Sequence, residues 1–245
     1  MPMTEQSHKS RTARTCDVLR DAIVHAEFAP GEKLRIDHLG RVYEASIGAV
    51  REALSRLTAE GLVVAMPQKG FIVAPISRKE LIDLTEVRIE IECKCLARSI
   101  EHGDLEWEGR VASLQHKLRA LHGAWDKQGT PEGAQWHQVH EAFHAELAAA
   151  CDNLWWLRLR NQLYVQSERY RRLSRPWKGE ARDVTAEHDA IANATLARDA
   201  RAAQAAMREH LQGTADILLA SPIPFADAPG DRADGETDNA IARSA

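Results

Sequence analysis

The chain has 245 residues, of which 44% are hydrophobic and 28% charged, a composition typical of a globular protein with room for two small domains. No apolar run approaches the ~18 residues of a membrane span, and the polar residues 1–14 lack the apolar core of a secretory signal. The net charge of −4 gives no indication of nucleic-acid binding, so that function must rest on local features. The four cysteines form no CxxC pair, and we therefore expect a reduced, cytoplasmic protein. Because no apolar run is long enough to span a bilayer, no membrane partner is expected.

The first part of the chain, residues 12–75, has the pattern of three helices followed by a β-hairpin. Apolar residues recur at helical spacing over residues 14–27, 36–43 and 46–60. Ser46 is a suitable N-cap for the third helix, and Gly61 suits the position after its end. Two β-branched runs around a loop that contains proline and glycine predict the hairpin, over residues 62–66 and 71–74.

Beyond Pro75 the apolar pattern is wholly helical and contains no strand signal. Ser77 and Glu80 form a capping box, and Asp199 is an N-cap near the end of the pattern. Six helices are predicted, over residues 77–102, 104–128, 131–151, 154–173, 182–196 and 199–219.

The predicted fold class is therefore mainly α, with two domains. Residues 12–75 are expected to form a winged helix-turn-helix, and residues 77–221 an all-α bundle of helices. Residues 1–11 and 222–245 are expected to be disordered, the second because proline, glycine, aspartate and alanine dominate it.

A winged helix-turn-helix indicates binding of double-stranded DNA, because a helix fits the major groove and its N-terminal residues meet base edges. The apolar residues of the third helix face the other two helices, which leaves a polar set facing outward. Together with the hairpin tip, the candidate DNA-binding residues are Ser46, Gly48, Arg51, Ser55, Lys69 and Gly70. The alternative is that Arg51 and Arg56 are solvated charges, or pair locally with Glu52 and Glu60.

Four histidines suggest a metal site in the helical domain. His140 and His144 are four residues apart and share one helix face, and His188 and His210 lie on the last two helices in apolar surroundings. Imidazole nitrogen suits a divalent transition metal such as Zn²⁺ or Ni²⁺. His137 falls near the same face, so spacing alone does not choose the ligand set, and any one of these histidines could be an ordinary hydrogen-bonded core residue.

Four ordered motifs carry a resemblance to a known family. They are Phe28-Ala29-Pro30-Gly31-Glu32-Lys33-Leu34, Val50-Arg51-Glu52-Ala53-Leu54, Glu60-Gly61-Leu62-Val63 and Lys69-Gly70-Phe71. Residues 16–76 thereby resemble the DNA-binding domain of the GntR family, which implies a transcriptional regulator that binds operator DNA. An arginine that typically contacts DNA in the family is Ile47 here, so the family's usual operator sequence is not carried over.

Residues 77–221 resemble the FCD ligand-binding domain of the FadR subfamily. The motifs are Glu86-Val87-Arg88, Ala142-Phe143-His144, Glu187-His188-Asp189-Ala190-Ile191 and Ala206-Met207-Arg208-Glu209-His210-Leu211. Within that subfamily, residues 64–70 and 106–108 are similar to a branch of carbon-starvation-induced repressors that respond to glutarate.

The resemblance also implies what the helical domain binds. FCD domains commonly hold a metal through Asp-x-x-x-His and two later histidines, and His140 stands where the aspartate is usual. The matching metal-ligand positions are His140, His144, His188 and His210. Arg88 matches the arginine that contacts the effector carboxylate. Arg169 and Arg171 are further candidates, and the alternative is that residues 169–172 are a solvated run of charges. The implied regulator is a homodimer that binds a pseudo-palindromic operator through two winged helices. It is expected to release DNA when a small organic (di)carboxylic acid binds.

Two other functions are compatible with parts of the sequence. A metal-dependent hydrolase could use Glu141 or Glu187 as a base, but Glu141 points about 100° around its helix from His140, and no GxSxG nucleophile motif is present. The winged helix would also have no role in a hydrolase, so we do not expect an enzyme. A regulator that senses the metal itself is the other alternative.

Overall fold

A computed structural model of the protein describes residues 11–127, 129–173, 182–221 and 225. The segments expected to be disordered, residues 1–11 and 222–245, lie outside the described residues apart from Arg11, which begins the first helix, and Phe225. The fold is mainly α, as the sequence predicts, with one small sheet near the N-terminus.

The N-terminal domain consists of three helices and an antiparallel sheet. In chain order these are α1 (Arg11–Val24), β1 (Lys33–Leu34), α2 (Ile36–Val42), α3 (Ile47–Ala59), β2 (Val63–Met66) and β3 (Gly70–Val73). β3 is the central strand, with Val73 opposite Val63 of β2 and Ile72 opposite Lys33 of β1. The sequence does not predict β1, because two residues are too few to show alternation and only pairing with β3 makes them a strand.

The apolar stripe of α3 fixes which of its faces is exposed. Val50, Leu54 and Leu57 are completely buried in the core that α3 shares with α1, α2 and the sheet. The Ser46 hydroxyl accepts a hydrogen bond from the backbone N–H of Ala49 at 3.2 Å, which confirms the predicted N-cap. Gly61 has a φ of 75°, the left-handed conformation that glycine favours, and turns the chain from α3 towards β2.

Six α-helices make up most of the rest of the described chain. They are α4 (Arg78–His102), α5 (Leu105–Ala120), α6 (Pro131–Leu147), α7 (Leu154–Leu173), α8 (Val184–Leu196) and α9 (Ala200–Ala220). α4 packs against α7 and α9, α8 packs against α9 and α5, and α6 packs against α5. Their common core includes Trp107, Phe143, Leu147, Ile191 and Met207. α7 also packs against α1 and so joins this bundle to the N-terminal domain.

Several helix ends differ from the predicted ones for local reasons. α1 begins and ends about one turn earlier than predicted, over Arg11–Val24, and Ala26 has already left the helix with a φ of 59°. α5 ends at Ala120 instead of near residue 128, because Gly123 has a φ of 75° and a short 3₁₀ turn follows at Ala124–Asp126. α6 ends at Leu147 instead of Cys151, because the last backbone hydrogen bonds tighten to the i→i+3 type.

The junction of α4 and α5 shows how closely the helical domain is packed. Gly103 lies between these helices, and a Cβ atom added to it would lie 2.1 Å from the ring of the buried Trp107. Gly109, in the middle of α5, has nothing within 4 Å of an added Cβ.

We expect Gly103→Ala to lower the free energy of unfolding by about 1–3 kcal/mol, because the tryptophan must move out of a filled core. Gly109→Ala is the matched control and should raise it by about 0.5–1 kcal/mol, because alanine is the better helix former. Urea denaturation followed by circular dichroism measures both, and equal effects of the two substitutions would contradict the packing described.

Candidate functional site

The outward face of α3 and the tip of the β2–β3 hairpin carry the candidate DNA-binding residues. Each of the six residues is exposed: Ser46, Gly48, Arg51, Ser55, Lys69 and Gly70. Gly70 has a φ of 92°, and nothing lies within 4 Å of a Cβ added to it, so the tip is free to approach another molecule closely. Ile47, at the first position of α3, is also exposed.

The ion pairs of the domain leave Arg51 available. Arg56 pairs with Glu52 at 2.5 Å, one turn away on α3, and Glu60 pairs with Arg20 of α1 at 2.7 Å. The local carboxylates that could have neutralised Arg51 therefore have other partners. Among the described residues Arg51 takes part in no ion pair, as expected for a cation that meets a phosphate or a base.

The four candidate metal ligands meet in the interior of the helical domain. His140 and His144 lie one turn apart on α6, His188 lies on α8 and His210 on α9. One ring nitrogen from each lies within 4.8 Å of the others, and all four side chains are buried. We refer to these four residues as the histidine cluster. The packing of α8 on α9 brings His188 and His210 together, although they lie 22 positions apart in the chain.

Several nitrogens of the histidine cluster are buried without a hydrogen-bond partner among the described residues. They are His140 Nδ1, both nitrogens of His144, and His188 Nε2. Burial lowers the pKa of His140, His144 and His188 well below the ordinary value, so these imidazoles are neutral and their lone pairs are available. Buried polar atoms rarely lack a partner, and neutral imidazoles converging on one point fit a bound transition metal.

His210 is oriented by a carboxylate behind it. Its Nδ1 lies 2.8 Å from Glu187 Oε2, and Arg182 holds the same carboxylate through two contacts of 2.6 Å. A carboxylate that accepts the Nδ1 proton leaves the Nε2 lone pair for a metal, an arrangement common around metal-bound histidine. Glu187, one of the two candidate hydrolase bases, is therefore already engaged with His210.

Arg88 of α4 lies close to the histidine cluster. Its side chain is buried, and its guanidinium stands over the Tyr164 ring at 5.3 Å from the ring centroid. Its Nε is 3.5 Å from Glu92 Oε1 and makes no hydrogen bond among the described residues, and the Tyr164 hydroxyl is likewise without a partner there. The positive charge of Arg88 contributes to the lowered pKa of His144, after the larger effect of burial.

The other two candidate effector arginines lie on opposite sides of α7. Arg171 holds Glu168 through two hydrogen bonds of 2.6 Å and lies beside Trp136, whose ring stacks on His140. Arg169 instead faces the N-terminal domain, where it donates a hydrogen bond to the carbonyl of Ala74. The structure therefore brings Arg88 and Arg171 to the histidine cluster but not Arg169.

Arg160 is a buried residue of this region that the sequence analysis did not identify. Its Nε donates to Glu92 Oε2 at 2.8 Å, and its Nη2 donates to the backbone carbonyl of His144 at 2.7 Å. It thus ties the carboxylate beside Arg88 to the helix that carries two of the histidines. Nothing in the sequence marks it, because the two partners that tie it to this region lie 16 and 68 positions away.

The structure also distinguishes between the candidate metal ligands and candidate hydrolase bases that helical spacing alone left open. His137 lies on α6 beside Trp136, within 3.4 Å of Arg171, and is not among the four residues whose nitrogens converge. Glu141 is exposed and lines a cavity between the domains together with His25 and Arg172. Neither candidate hydrolase base, Glu141 or Glu187, therefore stands as a free carboxylate beside the histidine cluster.

Comparison with known families assigns each of the two parts of the chain to a known domain family. Residues 11–73 match the bacterial regulatory proteins of the gntR family, and residues 83–213 match the FCD domain. The protein belongs to the GntR family and carries an FCD domain. This confirms the predicted family and gives the histidine cluster its context, because it lies entirely within the FCD domain.

Full-length relatives are transcriptional regulators by name. The protein is 38% identical over 217 residues to the HTH-type transcriptional regulator BphR of Paraburkholderia xenovorans, a match that covers 89% of each chain. It is 34% identical over 214 residues to the HTH-type transcriptional repressor GlaR of Escherichia coli, which covers 84% of this chain and 91% of GlaR. The protein therefore belongs to a family of transcriptional regulators, some of which are repressors by name.

Solved structures share its fold. E. coli McbR (YncC) superposes with a TM-score of 0.73 at 21% identity, covering 86% of this chain and 98% of that one. A GntR regulator from Rhodococcus gives a TM-score of 0.69 at 23% identity, covering 87% of this chain. Among the described residues, no helix has both the length and the apolar character needed to cross a bilayer.

We expect alanine at His144, His188 or His210 to abolish most metal binding and to lower the melting temperature by roughly 5–10 °C, because one ion bound to three helices would cross-link the domain. His140→Ala should have an equal or smaller effect. His137→Ala is the matched control on α6 and should retain full metal content. Elemental analysis of untagged protein, with melting curves in chelator, measures both quantities. Protein that contains no metal, rebinds none and melts unchanged in chelator would make these histidines ordinary core residues.

Proposed function

We propose that the protein is a repressor whose homodimer binds operator DNA and releases it when a small carboxylic acid binds beside a metal ion in the FCD domain. The observation that carries this proposal is the set of buried polar atoms without partners around the histidine cluster, which includes imidazole nitrogens and Arg88 Nε. Such atoms are costly to bury unless a ligand satisfies them. A metal suits the imidazoles, and an anion suits the guanidinium.

The metal best suited to this set of donors is zinc, with nickel as the alternative. Four neutral imidazoles offer only nitrogen donors, which both ions accept. His140, His144, His188 and His210 would hold the ion, and Glu187 would keep His210 in the required tautomer. A bound divalent ion would supply positive charge, and a site for an anionic oxygen, in a place from which water is largely excluded.

The balance of buried charge supports an anionic effector. Four largely buried guanidiniums, of Arg88, Arg160, Arg171 and Arg172, are accompanied by two buried carboxylates, of Glu92 and Glu168. This leaves two positive charges in excess, and a divalent ion on neutral imidazoles adds two more. An interior with such an excess is costly, so an effector with one or two carboxylates is favoured.

The DNA-binding part of the proposal rests on the exposed face of α3 and the hairpin tip. Arg51 would read a base or clamp a phosphate, and Lys69 would approach the backbone or the minor groove. Ile47 offers an apolar contact of the kind that a thymine methyl group accepts. Two copies would match a pseudo-palindromic operator, and exposed apolar side chains on the adjacent helices α4 and α7, such as Val87 and Trp155, offer area for their contact.

We expect Arg51→Ala to weaken specific operator binding by ~1–3 kcal/mol while the far-ultraviolet circular dichroism spectrum is unchanged. Arg201→Ala, at an exposed arginine of α9, is the matched control for the loss of one positive charge. Band-shift titrations at fixed salt measure the affinities, and sedimentation of the complex should give two chains per operator. Unchanged affinity in Arg51→Ala would remove this residue from DNA recognition.

We expect Arg88→Ala to bind operator normally but to lose effector-induced release, because a buried carboxylate loses a charge-assisted hydrogen bond worth ~1.5–3 kcal/mol. Arg208→Ala is the control, since Arg208 of α9 forms an exposed ion pair with Glu90, which lies on the same helix as Arg88, α4. A thermal-shift screen of dicarboxylates and hydroxy acids on metal-loaded protein selects the acid, and release is then titrated by band shift. Release of DNA by Arg88→Ala at the wild-type acid concentration would place the acid elsewhere.

Sensing of the metal itself is the second candidate function. It is favoured by the histidine cluster supplying four donors, enough to fill the shell of a zinc ion without an effector. Titration of zinc alone, and of zinc with the selected acid, separates the two functions. Release by zinc alone would identify the metal as the effector.

A further inference from the structure

The helix α7 faces the proposed effector site on one side and the DNA-binding domain on the other. Arg160, Tyr164 and Glu168 recur every four residues and point towards Arg88 and the histidine cluster. Gln166 and Arg169, three residues apart, lie on the other side. The helix runs without interruption from Leu154 to Leu173, so a displacement of one side displaces the other.

The contacts of Gln166 and Arg169 are to the two elements that would touch DNA. Gln166 Nε2 donates to the backbone carbonyl of Glu60, the C-cap of α3, and a Cβ added to the neighbouring Gly61 would lie 3.4 Å from the same Nε2. Arg169 Nη2 donates to the carbonyl of Ala74, directly after β3, and Ala74 in turn donates its N–H to Leu62 before β2. One side of α7 therefore contacts the C-terminal end of α3 and the base of the β2–β3 hairpin.

Arg169 is an unusual residue for a purely structural contact. Its side chain is 3% exposed, yet the hydrogen bonds described for it go to neutral acceptors, the Ala74 carbonyl and Gln166 Oε1. Burial lowers the pKa of its guanidinium. Among the described residues Arg169 forms no ion pair, and only the longer-range charge of Glu80 partly offsets its burial. Burying a cation between two domains in this way is costly for stability, which points to a role in the relation between the domains.

We propose that Gln166 and Arg169 form an interdomain clamp that transmits occupancy of the FCD site to the DNA-binding domain. The inference rests on the proposed function and adds the residues through which it is regulated. An anion or metal that engages Arg88, Arg171 or the histidine cluster rearranges the inner side of α7. The outer side then shifts the Glu60 and Ala74 carbonyls, so the liganded and free states differ in how α3 and the hairpin are held.

The test follows amide hydrogen exchange of α6 and of residues 60–74, together with operator affinity, in the full-length protein. Three conditions are compared: chelator, zinc alone, and zinc with glutarate as the probe acid. In the wild type, zinc or zinc with glutarate should change exchange in both α6 and residues 60–74. In Gln166→Ala the change in α6 should persist, the change in residues 60–74 should be lost, and release of operator should require about 2- to 10-fold more ligand, in line with the loss of one hydrogen bond.

Two further variants separate the clamp from general destabilisation. Gln162→Ala removes the same side chain one turn earlier on α7, where it is exposed, and should behave as wild type. Arg169→Lys keeps the charge but loses the planar guanidinium that reaches Ala74 and Gln166 together. In this variant, as in Gln166→Ala, residues 60–74 should no longer respond to ligands of the FCD domain.

The outcomes of the clamp and of the proposed function are distinguishable. If zinc and glutarate leave α6 unchanged in the wild type, the proposed function fails and the clamp with it. If they alter α6 and release DNA but Gln166→Ala and Arg169→Lys respond as wild type in residues 60–74, the clamp is overturned while the proposed function stands.

Discussion

Four imidazoles share one place in the interior of the helical domain, and several of their nitrogens have no hydrogen-bond partner among the described residues. This arrangement constrains the surrounding structure. α6, α8 and α9 must each present a histidine at the same depth, and Glu187 must stand behind His210 to hold its tautomer. Burial keeps the imidazoles neutral, which is the state that a metal requires and the state that avoids four positive charges in an apolar core.

Around the histidine cluster the domain buries a further network of charges. Arg160 joins the carboxylate of Glu92 to the backbone of α6. Arg171 holds Glu168 and lies beside the ring of Trp136, which also stacks on His140. A buried ion pair gives little net stability, because the loss of hydration offsets the attraction. Such an ion pair instead fixes the positions of the side chains that form it. Here Glu92, held by Arg160, keeps Arg88 beside the histidine cluster, and Arg88 Nε has no hydrogen-bond partner among the described residues.

The same helix that closes this site reaches the DNA-binding domain. α7 contributes polar residues inward and Val165, Gln166 and Arg169 outward, so the two domains are joined by side chains of one rigid element as well as by the connection at Pro75. An element shared in this way couples two sites without a chain of intermediates, provided that its position differs between the liganded and the free state.

The sequence by itself determined the elements that local chemistry fixes. The helical periods, the caps at Ser46 and Asp199 and the glycine at Gly61 predicted the winged helix and the helical domain. The i, i+4 pair His140 and His144 indicated half of the histidine cluster. Only the tertiary structure decided that His137 stands apart, that Arg169 faces the other domain and that Arg160 supports the site. These depend on residues far apart in the chain meeting through helix packing, and β1 likewise exists only because β3 pairs with it. Local periodicity specifies which face of an element is apolar, but it carries no information about which distant face it will meet.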